Sequence, residues 1–118
     1  MKDFQTINQN SRLLKTSNRS GSHRNCIRLG KNNTKEHEMK KVEICWELLK
    51  LNQEFITEAV FTNGKRADIF ILDTGVAIEV LHSETQSQFE EKIKGYPDEI
   101  SIISIKSDQA FEESMIYG

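Results

Sequence analysis

Two strands that each carry one acid inside an apolar run constrain the fold of this chain more than any other feature. Within Lys65–His82, Asp68 precedes the apolar residues Ile69–Leu72, and Glu79 interrupts the apolar run Val76–Leu81. An ionised carboxylate in such a strand is costly to desolvate unless a cation or hydrogen-bond donors meet it. Two carboxylates on neighbouring strands also repel each other. We therefore expect something positive to lie between them.

The tight turn between these strands sets how close the two acids come. A two-residue turn at Asp73 and Thr74 places Asp68 directly opposite Glu79, with their Cβ atoms about 5 Å apart on one face. A glycine bulge at Gly75 would shift the pairing by one position. In the first register the two carboxylates suit a shared Mg²⁺ or Mn²⁺ ion, which takes oxygen ligands and retains waters. Such an ion activates water and stabilises negative charge on a phosphate.

The first regular element is predicted to be a helix from Lys35 to Leu51, with Thr34 as its N-cap and Asn52 as its stop. Its apolar residues recur at three- and four-residue steps, which is typical of an amphipathic helix. The face expected to enter the core consists of Met39, Val42, Cys45, Trp46 and Leu49.

The rest of the chain predicts an α/β fold with element order α-β-β-β-α-β-α from residue 34. The predicted strands are Glu54–Thr62, Arg66–Leu72, Val76–His82 and Glu99–Lys106, and the later helices cover residues 83–94, opened by a Ser83–Gln86 capping box, and 107–115. The third strand is almost wholly apolar, which is typical of a central strand covered on both faces. A helix between the third and fourth strands predicts that they are parallel. We therefore expect a mixed four-stranded sheet with flanking helices.

Charge divides the chain into two parts. Residues 1–33 contain seven Lys and Arg against one Asp, whereas residues 34–118 contain nine against seventeen Asp and Glu. The first part shows no sustained period, so we predict a basic, mostly disordered leader at 1–33 and a single domain at 34–118. A basic arm on an acidic body suggests contact with a polyanion. The alternative is a merely solvated leader.

Membrane and secretory signals are missing from the sequence. No apolar run approaches the roughly 18 residues of a membrane span, and the first thirty residues lack an apolar signal core. Cys26 and Cys45 have neither metal-ligand spacing nor a disulfide framework. A cytoplasmic protein with no membrane partner is therefore expected.

Asp68, ten intervening residues and then Glu79-Val80-Leu81 resemble the D-Xn-E-X-K signature of the PD-(D/E)XK nucleases. This superfamily includes restriction-endonuclease-like and archaeal Holliday-junction-resolvase-like members, and its core is similar to the α-β-β-β-α-β order predicted for residues 34–106. The resemblance implies a metal-dependent nuclease that hydrolyses DNA phosphodiester bonds. It also implies that Asp68 and Glu79 are the ligands of Mg²⁺ or Mn²⁺.

Two positions depart from the signature. Ala67 stands where the proline would be, and Leu81 stands where the catalytic lysine would be. That lysine positions the attacking water and stabilises the developing phosphate charge. In some relatives it comes from the following helix, which here offers Lys92 and Lys94, with Lys92 the better placed. The resemblance therefore implies Asp68, Glu79 and Lys92 as catalytic residues.

Further residues are candidates for accessory roles. The superfamily often adds a glutamate near the metal, for which the candidates are Glu36, Glu43 and Glu58, although each is more often a solvated charge. Candidates for contact with a phosphate backbone are Lys65, Arg66, Arg24 and Arg28. His37 and His82 are interpreted as surface or capping residues.

Two other functions remain open on the sequence. Loss of the motif lysine favours a non-catalytic nucleic-acid-binding or assembly protein on the same scaffold. The acidic body favours an α/β interaction domain with no nucleic-acid role, in which Asp68 and Glu79 form a structural pair neutralised by Lys65, Arg66 or a helix terminus. A homodimer would present two half-clefts to a duplex.

Overall fold

One mixed four-stranded sheet organises the structure, a computed structural model that describes residues 2–19, 23–82 and 84–117. Within these ranges the α-helices are α1 (Phe4–Ser11), α2 (Lys35–Lys50) and α3 (Gln86–Ile93), and the strands are β1 (Phe55–Val60), β2 (Arg66–Ile71), β3 (Val76–Leu81) and β4 (Ser101–Lys106). Short 3₁₀ helices cover Thr16–Asn18 and Glu113–Tyr117. None of the described helices is both long enough and apolar enough to span a membrane.

The sheet has the order β1-β2-β3-β4. β2 pairs antiparallel with β1 and β3, whereas β3 and β4 are parallel. All six residues of β3 are buried. The predicted α/β class, mixed sheet, central third strand and parallel crossover are therefore confirmed.

The pairing of β2 with β3 follows the register predicted from a turn at Asp73 and Thr74. Ile69 pairs with Ile78 and Ile71 with Val76, so Asp68 and Glu79 lie opposite each other one step further along. Gly75 adopts a φ of +75°, a left-handed conformation that glycine takes without strain. The turn therefore accommodates Gly75 without a one-residue shift in the pairing of β2 with β3.

The ends of α2 also agree with the sequence. The Thr34 side chain accepts a hydrogen bond from the backbone N–H of His37 at 3.2 Å. After the helix, Asn52 adopts a φ of +56°. Its N–H donates to the Leu49 carbonyl, and the next N–H, of Gln53, donates to the Leu48 carbonyl at 2.9 Å. This is the Schellman arrangement that ends many helices.

The face of α2 that enters the core differs from the predicted one. Met39, Trp46 and Leu49 are 58%, 59% and 40% exposed, Val42 is half-buried, and of the predicted face Cys45 alone is fully buried. The side chains that α2 buries are His37, Glu38, Lys40, Lys41, Ile44, Cys45 and Leu48. Among them, His37 and Lys41 meet acids of the sheet, and this fixes the helix in a rotation that turns the most hydrophobic stripe outward.

The leader is also different from the disordered arm that we expected. α1 and the segment after it pack on the sheet, where Ile7 and Leu14 are 1% and 0% exposed. Leu14 forms an antiparallel bridge with Phe61 just beyond β1. The described part of the leader therefore supplies core residues. These apolar residues form no periodic pattern in the sequence, because each contacts the core on its own.

Asparagine side chains of the leader bond the backbone of the sheet. Asn18 Oδ1 accepts from the Val60 N–H at 2.6 Å, Asn25 Oδ1 accepts from the Phe55 N–H at 3.0 Å, and Asn10 Nδ2 donates to the Leu72 carbonyl at 2.7 Å. A polar composition that suggested disorder thus satisfies backbone groups at both ends of β1 and just after β2.

The later helices are shifted from their predicted bounds. Thr85 and Gln88 form a reciprocal capping box at the start of α3, two residues after the predicted pair, of which Ser83 lies outside the described residues. The last helix is the 3₁₀ segment Glu113–Tyr117 rather than residues 107–115, and it buries Ile116 fully.

We predict that Leu14→Ala lowers the free energy of unfolding by roughly 2–5 kcal/mol, because it leaves a cavity in a fully buried position. Phe4→Ala is the matched control in the same leader, since Phe4 is 64% exposed and should change stability little. Urea denaturation of both variants checks this. Equal stability of the two would show that the leader does not pack on the sheet.

Candidate functional site

Three carboxylates lie side by side across the sheet. In the register of β1 with β2, Thr57 pairs with Ile69 and Ala59 with Ala67, which puts Glu58 opposite Asp68, and Asp68 is in turn opposite Glu79. All three acids line one cavity of about 330 Å³, completed by Gly30, Lys31, Asn32, Asn33, Arg66 and Lys92. The structure therefore brings together Asp68, Glu79, Lys92, Arg66 and Glu58 of the residues singled out in the sequence.

Glu79 is the most deeply buried of the three acids. Its side chain is 1% exposed, and Lys92 Nζ lies 2.8 Å from its Oε2. Burial raises the pKa of Glu79 to about 7, and the charge of Asp68 adds to this, although Lys92 and Tyr96 oppose it. Because its pKa lies near neutrality, this carboxyl can exchange a proton or take up a cation with little penalty.

Tyr96 adds a constraint on the Glu79 proton. Its hydroxyl lies 2.6 Å from Glu79 Oε1 and also contacts the carbonyl oxygen of Arg66. A phenol has one proton to donate, so it cannot donate to both oxygens. When Tyr96 donates to the Arg66 carbonyl, its contact with Glu79 is a hydrogen bond only if the protonated Glu79 carboxyl donates to the Tyr96 oxygen. Donation from Tyr96 to Glu79 instead stabilises the carboxylate and opposes the rise of its pKa.

Asp68 has the opposite character. Its Oδ2 accepts a 2.8 Å hydrogen bond from the Val80 N–H and lies 3.2 Å from His37 Nε2. Burial opposes ionisation, but the hydrogen bonds from His37 and Val80 outweigh it and hold the pKa of Asp68 below its ordinary value. Two neighbouring carboxyls with separated pKa values are typical of sites that handle protons or cations.

His37 is the positive group nearest to Asp68, which corrects its interpretation as a surface or capping residue. Its Nδ1 lies 2.7 Å from Glu38 Oε1, so each ring nitrogen meets a carboxylate. The hydrogen bond to Asp68 is the main reason that the pKa of His37 rises to about 9. The ring is therefore an imidazolium at neutral pH. The sequence signal for this inward position was spacing. His37 lies seven residues before Ile44, and a helix places both residues on one face.

Lys41 completes the charge balance on β1. Its fully buried Nζ lies 3.0 Å from both Glu38 Oε2 and Glu58 Oε1. Glu58 adopts a φ of +49°, a strained conformation for a residue other than glycine. Arg28 holds this backbone by donating from Nη2 to the carbonyls of Thr57 at 2.6 Å and Glu58 at 3.1 Å. Strain of this kind persists where the surroundings fix it, and it concentrates at functional sites.

The loop before α2 closes one side of the cavity. The Gly30 N–H donates to Glu38 Oε2 at 2.8 Å, and Asn33 Nδ2 donates to Glu38 Oε1 at 2.9 Å. A Cβ atom on Gly30 would lie 2.8 Å from Asn33 and 3.1 Å from Glu58. A larger residue here would therefore have to displace the side chains of Asn33 and Glu58.

The other predicted acids lie elsewhere. Glu36 and Glu43 line a separate cavity with Met39 and Lys40, and Glu43 forms an ion pair with Lys40. Neither lines the cavity of Asp68 and Glu79. Helix rotation explains this, because the same turn of α2 that brings His37 and Glu38 inward carries Glu36 and Glu43 out.

The predicted phosphate-binding cations divide into two groups. Arg66 lines the cavity, and Lys65 beside it is exposed. Arg24 instead lies 3.8 Å from Glu54, and Arg28 is bound to strand carbonyls. The structure thus gives Arg24 and Arg28 contacts within the chain, and neither residue lines the cavity itself.

Of Lys92 and Lys94, the two candidates to replace the motif lysine, Lys92 reaches the cavity. Lys94 is 70% exposed and lies 2.9 Å from Glu91. Lys31, which the sequence did not single out, is the further cation in the lining. Leu81, at the place of the motif lysine, is buried in β3.

Within the described ranges, no three His, Cys, Asp or Glu side chains group so as to hold a metal ion. The available acids are the pair Asp68 and Glu79, with Glu58 beside them. Comparison with known proteins adds no relative, since no known protein family matches the chain and no curated protein or solved structure matches it significantly. The site must therefore be interpreted from its own geometry.

We predict that the His37 ring titrates with a pKa of about 9 and that Asp68→Asn moves this pKa toward the ordinary value of 6.5, because the main hydrogen bond to a carboxylate is lost. Since the folded-state pKa is raised, protonated His37 stabilises the fold fully below about pH 6.5, and this stability is lost as the pH rises through 9.

An NMR titration of the histidine ring protons measures this pKa. Glu43→Gln, which removes an acid outside the His37 contacts, is the control and should leave the titration unchanged. A wild-type His37 pKa near 6.5 would contradict the described contact with Asp68.

Proposed function

We propose that this protein is a metal-dependent nuclease of the PD-(D/E)XK type that cleaves DNA phosphodiester bonds in the cytoplasm. The observation that carries the proposal is that Asp68, Glu79 and Lys92 line one cavity, although the lysine comes from α3 rather than from β3. A restriction-endonuclease-like core is part of the same proposal, and the order of β1 to β4 with α2 before it supports that core.

The acids of the cavity fit a divalent ion. Asp68 and Glu79 would hold it, and Mg²⁺ is often bound by one or two carboxylates, with waters and substrate phosphates as its other ligands. Burial, and then the charge of Asp68, raise the pKa of Glu79. An added positive charge would therefore stabilise its ionised carboxylate. When bound, Mg²⁺ or Mn²⁺ lowers the pKa of a water and offsets negative charge on the phosphate.

Lys92 supplies the positive charge that Leu81 cannot. Its side chain is 49% exposed at one end of the cavity while its Nζ contacts Glu79. A lysine on a flexible stem can move between the carboxylate and an incoming phosphate oxygen. In this role Lys92 stabilises negative charge that develops on the phosphate.

Basic groups around the cavity suit a phosphate backbone. Lys31 and Arg66 belong to its lining, and Lys65 precedes Arg66 on the exposed side. Lys31 and Arg66 thus lie in one lining with the acids, and Lys65 adjoins Arg66 in the chain, so these cations can bind phosphates through charge and hydrogen bonds. We assign the electrostatic contact with DNA to these residues, because Arg24 and Arg28 are engaged within the chain.

The second candidate is a non-catalytic nucleic-acid-binding or assembly protein on the same scaffold. One observation favours it: each acid of the cavity already has a cation of the chain beside it. The pairs are Glu58 with Lys41, Asp68 with His37, and Glu79 with Lys92. A site balanced in this way is stable without a metal ion, so metal binding and cleavage decide between the two functions.

We predict that the wild type binds Mn²⁺ and that Asp68→Asn and Glu79→Gln each weaken binding at least about tenfold, because each removes one of two carboxylate ligands. Isothermal titration calorimetry measures the affinity, and far-UV circular dichroism verifies folding. Glu43→Gln removes an acid outside the cavity and should bind Mn²⁺ like the wild type. Equal binding by all four proteins would rule out this metal site.

We further predict that Lys92→Met lowers the rate of plasmid cleavage about a hundredfold, the typical loss when one group that stabilises transition-state charge is removed. Lys94→Met, two residues away and paired outside the cavity, should cleave like the wild type. Gel-based cleavage assays in Mg²⁺ give both rates. If the wild type binds Mn²⁺ and DNA without cleaving, the non-catalytic alternative replaces the nuclease.

A further inference from the structure

An apolar stripe runs along the outer face of α2. Met39, Trp46 and Leu49 are 58%, 59% and 40% exposed, and Val42 between them is half-buried. Exposed large apolar groups that line up in a continuous stripe are typical of interaction surfaces rather than of scattered surface residues. None of the four lines the cavity of Asp68 and Glu79, so the stripe is a separate surface.

The spacing of the stripe is that of a helix-pairing seam. Met39, Val42, Trp46 and Leu49 follow steps of three, four and three residues, the alternation that keeps apolar residues on one line when two helices pack side by side. The inner face of α2, with Ile44, Cys45 and Leu48 fully buried, already packs on the sheet. The helix therefore has two apolar faces, and the core of the chain occupies one of them.

The stripe is complementary to itself in an antiparallel arrangement. Placing Met39 opposite Leu49 of a second copy also places Val42 opposite Trp46 of that copy, and the two remaining contacts follow by symmetry. Each layer then joins a large side chain to a smaller or more flexible one, which allows the two helices to approach closely. A two-fold axis through the middle of α2 generates this pairing.

Charges beside the stripe agree with the same arrangement. Exposed Glu36 lies near the start of α2, and Lys50 is its last residue. The Lys50 side chain is 55% exposed, with its Nζ 3.1 Å from Glu47 Oε1 of the same chain, so it can reach a further acid. Antiparallel packing brings Glu36 of one copy toward Lys50 of the other, twice by symmetry. Glu43 lies nearer the axis, and Lys40 of its own chain meets its charge. The flanking charges therefore favour an antiparallel pair over a parallel one.

We propose that α2 is the interface of a homodimer, in which two copies of the chain pack their Met39–Leu49 stripes antiparallel about a two-fold axis. His37 of the two copies would then be about 21 Å apart along the helix axes, from the rise of 1.5 Å per residue. None of the stripe residues lines the cavity of Asp68 and Glu79. The inference therefore does not depend on the proposed nuclease activity.

Trp46 is the one tryptophan of the chain, so its fluorescence reports directly on the interface. Dilution of the wild type should move its emission to longer wavelength as the side chain returns to water, in step with the change from dimer to monomer in analytical ultracentrifugation. A monomer at every concentration, with unchanged emission, would overturn the proposal and assign the stripe to another protein.

Variants locate the interface. Trp46→Ser should raise the dissociation constant of the dimer about tenfold or more, the loss typical of an interfacial tryptophan. Leu29→Ser is the matched control, since Leu29 is 63% exposed and lies outside α2. Neither change removes a buried side chain, so circular dichroism should show both proteins folded. Unchanged association of Trp46→Ser would show that dimers form through another surface.

Charge reversal tests the orientation of the two helices. Lys50→Glu and Glu36→Lys should each weaken self-association severalfold, because each places like charges in contact. An equimolar mixture of the two variants should recover association, since the mixed dimer has a Glu–Lys pair at both ends. A mixture that associates no better than either variant alone would contradict the antiparallel arrangement.

Discussion

The structure depends on placing three carboxylates across the middle of a sheet and compensating each with a cation from outside the sheet. The pairs are Glu58 with Lys41, Asp68 with His37, and Glu79 with Lys92. Buried charges without partners would oppose folding strongly. Two of the cations belong to the first half of α2, so the helix must turn that half toward the acids. The rotation of α2, and with it the exposure of Trp46 and Met39, follows from this requirement.

The same pairs give the cavity its chemical character. Asp68 receives hydrogen bonds from His37 and Val80 and stays ionised, whereas Glu79 lies deeper and titrates near neutrality. The difference arises from their surroundings, because the two acids occupy equivalent places on neighbouring strands. Asp68 is charged, Glu79 changes its charge near neutral pH, and Lys92 contacts Glu79. The proposed binding of a cation and a phosphate rests on this combination. The proposed cleavage reaction uses this asymmetry.

Much of the fold could be predicted because local signals were strong. The turn at Asp73 and Thr74 indicated the register that sets Asp68 opposite Glu79, and Thr34 and Asn52 marked the ends of α2. The inward face of α2 could not be predicted from hydrophobicity, since polar partners of the sheet override the apolar stripe. The contact of Tyr96 with Glu79 could not be predicted either, because it depends on a tertiary approach between the segment after α3 and β3. The leader was misjudged because its asparagines bond a strand edge that no local pattern reveals.

The leader has a consequence for the behaviour of the protein in concentrated solution. β1 is the first strand of the sheet, and its outer edge is met by the leader: the Lys15 N–H donates to the Val60 carbonyl, and the Asn25 N–H donates to the Phe55 carbonyl at 2.8 Å. An uncovered strand edge is a template for pairing with other chains. Proteolytic loss of the leader would therefore favour aggregation, because it would expose the backbone edge of β1 and remove residues from the core.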